Sequence, residues 1–261
     1  MTENVLLAIR FKVEGSLRFL SHAETVRLLE RACVRAGLRL RYSEGFNPHP
    51  KLSLPLPRPV GVESDEELLC LWVEQEPLPD SSHRGQGEFE PQRTQSTQRE
   101  ETIRVDSCSR QESAGSSTFV VSEKADRIMA ALAPQLPKGC TLLSVSTAAK
   151  GASFQPRSAT YILPVKREYF SEQLKTTAEH LLASEHLPLR RPMDDSGARF
   201  KNVDVRGFLK SIKLEDGSII VECEIRPDGT VRVDELLKLL ELDEAALAAP
   251  VRRTNVQWHG G

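Results

Sequence analysis

The segment from Val5 to Tyr42 reads VLLAIRFKVEGSLRFLSHAETVRLLERACVRAGLRLRY and contains the clearest local signals of the chain. Its first part, Val5 to Val13, is rich in β-branched and apolar side chains and predicts a strand. Ser21-His22-Ala23-Glu24 follows with the capping-box pattern, a serine at the cap and a glutamate three residues later. Apolar residues then recur at helical spacing as far as Gly37, and residues 38–42 alternate as in a half-buried strand. The stretch therefore predicts a β-α-β unit.

The rest of the chain extends this unit to β-α-β-β-α-β, the ferredoxin-like order, and then repeats that order. The first predicted lobe, residues 1–150, adds a strand at 67–74, a helix at 124–136 and a strand at 141–146. The second, residues 151–261, has strands predicted at 161–165, 187–191, 203–214, 218–225 and 252–258, and helices at 171–184 and 233–240. Turns are predicted at Asp216-Gly217 and Asp228-Gly229. We therefore predict an α+β protein with two ferredoxin-like lobes.

The composition changes abruptly between Pro79 and Ser117, inside the first predicted lobe. This segment is rich in Ser, Gln, Glu, Arg and Gly and holds few apolar residues. So few apolar groups cannot offset the entropy lost on ordering the segment, and we predict a disordered insertion at residues 79–117. The insertion is either a functional tail or a solvated addition to a surface loop.

Bulk composition argues against several classes of protein. The 261 residues are 39% hydrophobic and 28% charged, as in a soluble globular protein, and no apolar run could span a bilayer. The N-terminus lacks a signal-peptide pattern, so we expect a cytoplasmic protein with no membrane partner. The five cysteines are widely spaced, which argues against a disulfide framework, a zinc site or an iron–sulfur cluster on this chain.

The strongest candidate for a binding surface is the segment from Tyr42 to Lys51, which reads YSEGFNPHPK. Its two prolines fix their own φ angles and hold the residue before each in an extended conformation, so the loop loses little entropy on binding. Lys51 suits a phosphate, Asn47 and His49 can form hydrogen bonds, and Phe46 can stack on a base. A rigid turn with Phe46 in the core and His49 idle on the surface is equally consistent with the pattern.

The start of the predicted helix is a second candidate. The free N–H groups of a first helical turn favour an anion, so a ligand carboxylate or phosphate could dock at Ser21 and His22. The alternative is an ordinary surface histidine beside a well-capped helix start. A metal site made of His22, His49 and Glu44 would have no ligand pair at helical metal spacing, and we expect no bound metal.

A basic stripe follows along the same helix. Arg27, Arg31 and Arg35 recur every four residues and share one face. Residues 1–60 hold ten basic and five acidic residues, a balance of +5, although the whole chain has a net charge of −2. The stripe either attracts RNA electrostatically or is a solvated face partly paired with Glu24 and Glu30.

Several motifs together resemble one protein family. They read LRFLSH at 17–22, YSEGFNPHPKLS at 42–53 and PRPVGVES at 57–64, with shorter pieces DVR at 204–206, KSI at 210–212, GTVR at 229–232 and RT at 253–254. These motifs resemble the radical-SAM-linked protein family, a bacterial domain of unknown function called DUF2344. The resemblance covers most of the chain outside the predicted insertion.

The resemblance implies a companion role in a radical-SAM system. Members of the family are companions of cobalamin-binding radical-SAM proteins, encoded beside them or fused to their C-termini. The partner would carry the iron–sulfur cluster, S-adenosylmethionine and cobalamin, and this chain would carry no cofactor. Our leading hypothesis is therefore a non-catalytic module that binds RNA and presents it to a radical-SAM protein for modification. The RNA we expect is tRNA. The residues expected to bind substrate are Ser21, His22, Phe46, Asn47, His49, Lys51, Arg27, Arg31 and Arg35.

Two other hypotheses remain open at this point. The chain could be a stand-alone RNA-processing or RNA-modifying enzyme, with His22 and His49 as acid and base. It could instead be a protein–protein scaffold whose loop docks the radical-SAM partner without any nucleic acid.

Overall fold

The computed structural model describes residues 3–75, 116–149, 151–192 and 199–259. The helices in these ranges are α1 (His22–Arg35), α2 (Ser116–Leu132), α3 (Glu172–Ala183) and α4 (Val233–Leu239). The strands are β1 (Glu3–Val13), β2 (Leu52–Ser53), β3 (Glu63–Gln75), β4 (Cys140–Ala148), β5 (Gln155–Pro164), β6 (Pro188–Pro192), β7 (Phe200–Asp204), β8 (Leu209–Glu215), β9 (Ser218–Glu224) and β10 (Arg252–His259). The predicted insertion at 79–117 lies outside the described residues, except for its last two serines, which begin α2.

One large sheet carries both halves of the chain. Its strand order is β4-β1-β3-β10-β5-β9-β8, with the short β2 also paired to β3, while β6 and β7 form a separate antiparallel pair. The halves meet where β3 and β10 run parallel, with Arg252 opposite Glu63 and Arg253 opposite Ser64. β1 fills the other edge of β3 along its length, so β2 and β10 must share the remaining edge. The fold is therefore a mixed one of helices and a single continuous sheet.

The first helix forms as its sequence predicts. The Ser21 side chain caps α1, and the reciprocal contact from Glu24 completes the capping box. Leu29, Ala32 and Cys33 lie on one face of the helix and are almost fully buried against the sheet. Because these residues recur at the helical period, α1 covers β1 and β3 with an apolar face.

Two main apolar clusters fill the interior. One joins α1 to the strands of the first half and includes Leu7, Ile9 and Phe11. The other joins α3 and α4 to the strands of the second half, and Leu56 and Val62 enter it from the first half. The segment between β2 and β3 thus contributes to the core of the second half.

Two predicted strands differ from the structure. Residues 38–42 make only isolated bridges, such as Leu40 to Val73, because the chain leaves the sheet edge just after Arg41. The predicted strand at 203–214 is divided into β7 and β8 by a short 3-10 helix. The Asp204 carboxylate accepts the N–H of Arg206, which turns the chain at the end of β7. Both single-strand predictions were therefore wrong, and the helix predicted at 124–136 begins earlier, at residue 116.

No helix in the described ranges is long and apolar enough to cross a membrane.

Candidate functional site

Residues 43–49 form a closed loop at the edge of the sheet, which we call the edge loop. The backbone N–H of Ser43 donates to the His49 carbonyl at 2.7 Å, and the backbone N–H of His49 donates to the Ser43 Oγ at 2.9 Å. Tyr42 and Pro50 extend the pairing by an isolated bridge. The loop is thus closed by hydrogen bonds between its first and last residues.

The base of the edge loop is joined to β3. The backbone N–H of Arg41 donates to the Trp72 carbonyl at 2.9 Å, and the backbone N–H of Trp72 donates to the Lys51 carbonyl at 2.9 Å. Arg41 and Lys51 are also joined to each other, since the Lys51 N–H donates to the Arg41 carbonyl at 2.7 Å. A loop held at its base in this way is pre-organised for binding.

The tip of the edge loop is fully exposed. The Phe46 side chain has a relative exposure of 107%, so the fold buries none of it. Asn47 and His49 are exposed as well. The interpretation that placed Phe46 in the core is therefore wrong, because the loop closes on itself and gives the ring no core to reach.

At the start of α1 the structure assigns the capping role to Ser21. Its Oγ accepts the backbone N–H of Glu24 at 3.3 Å, while the Glu24 carboxylate accepts the Ser21 backbone N–H at 2.8 Å and the Ser21 hydroxyl at 2.7 Å. The side-chain and backbone hydrogen bonds from Ser21 lower the pKa of Glu24. The position predicted for a ligand anion is thus held by Glu24, and His22 lies exposed beside it.

The chain segments that carry His22 and His49 contact opposite ends of β3. The Arg58 guanidinium donates both to the carbonyl two residues before His22 and to the Val62 carbonyl, next to the start of β3. The edge loop instead joins β3 at Trp72. The ten residue steps between these points correspond to about 30 Å of strand. No contact joins the two histidine rings among the described residues.

The predicted basic stripe lines a groove of about 690 Å³, which we call the basic groove. Arg27, Arg31 and Arg35 form one side of it, and residues 134–137 form the other. Arg35 donates to the Gln135 carbonyl at 3.3 Å. No described carboxylate forms a salt bridge with any of the three arginines, but Glu24 also lines the groove, and the Arg27 charge adds to the Ser21 hydrogen bonds that lower its pKa. The predicted pairing with Glu24 is thus present only as a longer-range attraction. Arg31 and Arg35 donate to the Arg27 and Gln135 carbonyls, and none of the three guanidinium groups forms a salt bridge to a described residue.

The basic groove runs along α1 from Leu20 to Arg35, and the edge loop follows α1 in the chain. Arg35 is the last residue of α1, and Ser43 begins the loop eight residues later. Eight extended residues span at most about 28 Å, which is an upper limit on the separation of Arg35 and Ser43.

Sequence reasoning missed a buried group of charges, which we call the seam and define by Arg58, Glu67 and Arg253. The Arg253 side chain is 1% exposed, and its Nη2 lies 2.7 Å from both carboxylate oxygens of Glu67. Burial alone would lower the pKa of Arg253, but the Glu67 carboxylate and the Tyr161 hydroxyl together raise it above its usual value. Glu67 lies opposite Phe11 of one cluster and Arg253 opposite Tyr161 of the other, so the pair lies between the two cores.

Arg58 of the seam holds the chain just before α1. Its guanidinium donates to the carbonyls of Leu17 at 3.1 Å, Arg18 at 2.7 Å and Leu20 at 3.3 Å. These carbonyls belong to the 3-10 helix that leads into the capping box. The seam therefore sets the position of α1, and with it the basic groove. The motifs at 57–64 and 253–254 contain Arg58 and Arg253 and could have pointed to the seam, but the sequence did not show that these arginines are buried.

The described cysteines are poor candidates for metal ligation. Burial raises the pKa of Cys33, Cys140 and Cys223 to about 12 and that of Cys70 to about 11, so these thiols stay protonated at neutral pH. Cys108 lies outside the described residues. Within the described ranges, no group of three or more His, Cys, Asp or Glu side chains is placed to hold a metal ion.

A family model described as an uncharacterized protein conserved in bacteria, DUF2344, matches residues 7–86 and 109–236. These residues make up more than half of the chain. The chain belongs to the DUF2344 family. The DUF2344 match contains α1, the edge loop and Arg58, whereas Arg253 lies beyond its end. No curated protein matches the chain.

Proposed function

We propose that this DUF2344 chain is a non-catalytic module that binds RNA, and in particular tRNA, and presents it to a radical-SAM protein in the cytoplasm. The observation that carries the proposal is the fully exposed Phe46 ring on a loop closed by hydrogen bonds. The three arginines of the basic groove support it.

The edge loop suits an unpaired base. An aromatic ring stacked on a base contributes about 1–3 kcal/mol, and every base offers a face for stacking. Because the loop is already closed, little conformational entropy is lost when a base docks on Phe46. Asn47 and His49 flank the ring and can bond to base edges or to the ribose hydroxyl.

The basic groove suits the phosphate backbone. Guanidinium groups form charge-assisted, often bidentate, hydrogen bonds with phosphate oxygens. Phosphate contacts attract RNA of any sequence, whereas loop contacts can distinguish single-stranded from paired regions. The basic groove would therefore attract the RNA backbone, and the edge loop would recognise unpaired bases.

We assign the radical chemistry to the partner rather than to this chain. The resemblance to radical-SAM companions supports this assignment, and so do the buried, protonated thiols of the described cysteines. The enzyme alternative needs the rings of His22 and His49 to act on one substrate group, while their points of attachment lie about 30 Å apart along β3.

We also propose that each half of the chain is a ferredoxin-like unit. In its favour, both halves place their strands in the same spatial order: fourth, first, third, second. This order is β4-β1-β3-β2 in the first half and β10-β5-β9-β8 in the second, with the β6-β7 pair as an addition. Helices α1 and α2 occupy the same places in the first half as α3 and α4 in the second.

The RNA proposal is tested by tRNA binding of the full chain at two salt concentrations. Wild-type affinity should fall with salt, and the triple variant Arg27→Ala/Arg31→Ala/Arg35→Ala should bind more weakly. The slope of log affinity against log salt should decrease by about 0.7–0.9 for each phosphate that the variant no longer neutralises.

A matched control removes three exposed cations of the second half, in Lys166→Ala/Arg167→Ala/Lys175→Ala. It changes net charge equally and should leave the affinity near that of wild type. Equal losses in both triples would mean that net charge, not the groove, drives binding. No tRNA binding by the wild type would overturn the RNA proposal and favour the scaffold.

A further inference from the structure

A cleft of about 680 Å³ lies on the second half of the molecule, away from the loop and the groove. One wall is the proline-rich segment 55–60, and the other is formed by residues 225–234 and Leu237 of α4. Small-molecule sites typically have volumes of roughly 300–1,000 Å³ and lie at junctions between structural units. Two motifs that the RNA proposal does not use, at 57–64 and 229–232, meet here.

The cleft is lined mainly by apolar groups. Leu56, Val231, Val233 and Leu237 are buried residues of the second core that also line it, and Ile225 lies beside them. Such a lining favours a ligand with an apolar body, because burial of apolar surface is the main source of affinity in these sites.

Arginines hold both walls in place. Arg253 donates to the Pro57 carbonyl at 2.9 Å and to the Leu56 carbonyl at 3.3 Å. On the other wall, Arg191 donates to the Thr230 carbonyl at 2.6 Å while it forms an ion pair with Glu235. Because both walls are fixed by internal hydrogen bonds, little ordering is needed when a ligand enters.

The floor of the cleft has one buried cation in excess. Arg58 lines the floor and is 8% exposed, and the seam has two guanidinium groups for the single carboxylate of Glu67. The terminal nitrogens of Arg58 donate to backbone carbonyls, but its Nε has no partner in the described part of the chain. Burial lowers the pKa of Arg58, and Glu67 offsets this only in part. A nearby anion would stabilise this cation.

The rim adds a second cation. Arg232 lines the cleft, is exposed and makes no ion pair with any described residue. Two other charged lining residues, Arg226 and Asp234, are already paired with neighbouring side chains. The remaining carboxylate, Glu244, lines both this cleft and the adjacent depression that contains Phe19.

We propose that this cleft binds a small molecule with an apolar body and one anionic group, a carboxylate or a phosphate, placed between Arg58 and Arg232. The apolar walls take the body, and the two guanidinium groups take the anion. The site is independent of the RNA proposal, since it shares no residue with the basic groove or the edge loop.

The test is a calorimetric titration of the full chain with phenyl phosphate. Benzyl alcohol has the ring without the charge, and inorganic phosphate has the charge without the ring. Phenyl phosphate should bind saturably, and each comparator should bind about tenfold more weakly or worse, since each lacks one of the two interactions. Benzoate replaces phenyl phosphate in a parallel titration and identifies which anion the site prefers.

Two pairs of exposed variants test the location. Arg232→Ala should weaken phenyl phosphate binding about three- to tenfold, whereas Lys213→Ala, which removes an exposed cation of β8 outside the cleft, should not. Val60→Asp places a like charge on the apolar wall and should weaken binding at least as much, while Val34→Asp on α1 should leave it unchanged. Circular dichroism confirms that each variant folds. No saturable binding by the wild type, or equal losses in the control variants, would overturn the proposal.

Discussion

The edge loop and the seam place their side chains in opposite ways. Phe46, an apolar ring, is fully exposed at the loop tip, whereas Arg58 is 8% exposed and Arg253 1% exposed in the interior. The usual preference would reverse these positions. The internal arginines are tolerated because Glu67 and backbone carbonyls satisfy them, while the exposed ring has no partner within the described chain.

In the seam, the charged side chains contribute to the stability of the fold, whereas the exposed ring at the loop tip does not. Arg58 and Arg253 hold segments of chain together, so a change at either one acts on folding. The edge loop contributes hydrogen bonds only to its own closure, so a change at its tip acts on binding. Substitutions in the seam should therefore change the unfolding free energy, whereas substitutions at the loop tip should change the RNA affinity.

The largest effect is expected for Arg253→Ala. Removal of this side chain leaves the Glu67 carboxylate buried without its partner, which should lower the unfolding free energy by about 3–5 kcal/mol. Urea unfolding at pH 7 measures the change. The double variant Arg253→Met/Glu67→Leu should recover part of the loss, because it removes the unpaired carboxylate but leaves Arg58 buried without one. A loss below about 1 kcal/mol in the single variant would show that the pair is not coupled to folding.

A smaller effect is expected at the start of α1. Ser21→Ala removes the helix cap and should lower the unfolding free energy by about 1 kcal/mol. Ser171→Ala is the matched control, because Ser171 caps α3 in the second half by accepting the N–H of Leu174 at 3.3 Å. The two variants should lose similar stability and keep wild-type affinity for tRNA. A selective loss of tRNA affinity in Ser21→Ala would instead make Ser21 a binding residue.

A still smaller effect is expected from acid titration at Asp204. Hydrogen bonds from the Leu187 N–H, His186 and the Arg206 N–H lower the pKa of Asp204 from 3.8 to about 2. A lowered folded-state pKa stabilises the protein above the unfolded value, and this contribution is lost as the pH falls from about 4 to about 2. The urea midpoint should fall less between pH 4 and pH 2 in Asp204→Asn than in wild type. Asp126→Asn is the control and should show the wild-type fall. Parallel profiles for wild type and Asp204→Asn would contradict the assignment.

The smallest effect on stability is expected at the loop tip. Phe46→Ala removes a ring that the fold does not bury, so the unfolding free energy should change by less than about 0.5 kcal/mol. Urea unfolding compares it with Leu29→Ala, in which a buried side chain of α1 is truncated and about 2–5 kcal/mol is expected. A large loss in Phe46→Ala would mean that the ring packs against part of the chain.

Local signals in the sequence were sufficient to predict the start of α1 and the hairpin between β8 and β9. The capping box at Ser21 and Glu24 correctly predicts where α1 begins. Asp216-Gly217 predicts the hairpin between β8 and β9, and both residues have positive φ, at 28° and 80°. These features depend on a few adjacent residues, so one sequence is enough to predict them.

Other elements depend on contacts between distant residues. The strand predicted at 38–42 is reduced to isolated bridges, such as that between Leu40 and Val73, because the Trp72 N–H donates to the Lys51 carbonyl and the Arg41 carbonyl accepts the Lys51 N–H. In the site, the residue types of the loop and the arginine stripe were predictable, whereas the exposure of Phe46 was not. The pair of Arg253 and Glu67 joins residues 186 positions apart, and no local pattern marks such a contact.

The most direct test of the account is the affinity of Phe46→Ala for tRNA, measured against Tyr169→Ala as an exposed aromatic control from the second half. Phe46→Ala should bind tRNA about tenfold more weakly, as expected for the loss of one stacked base, while Tyr169→Ala should bind like wild type. Wild-type affinity in Phe46→Ala would contradict the claim that the edge loop is the RNA-binding surface.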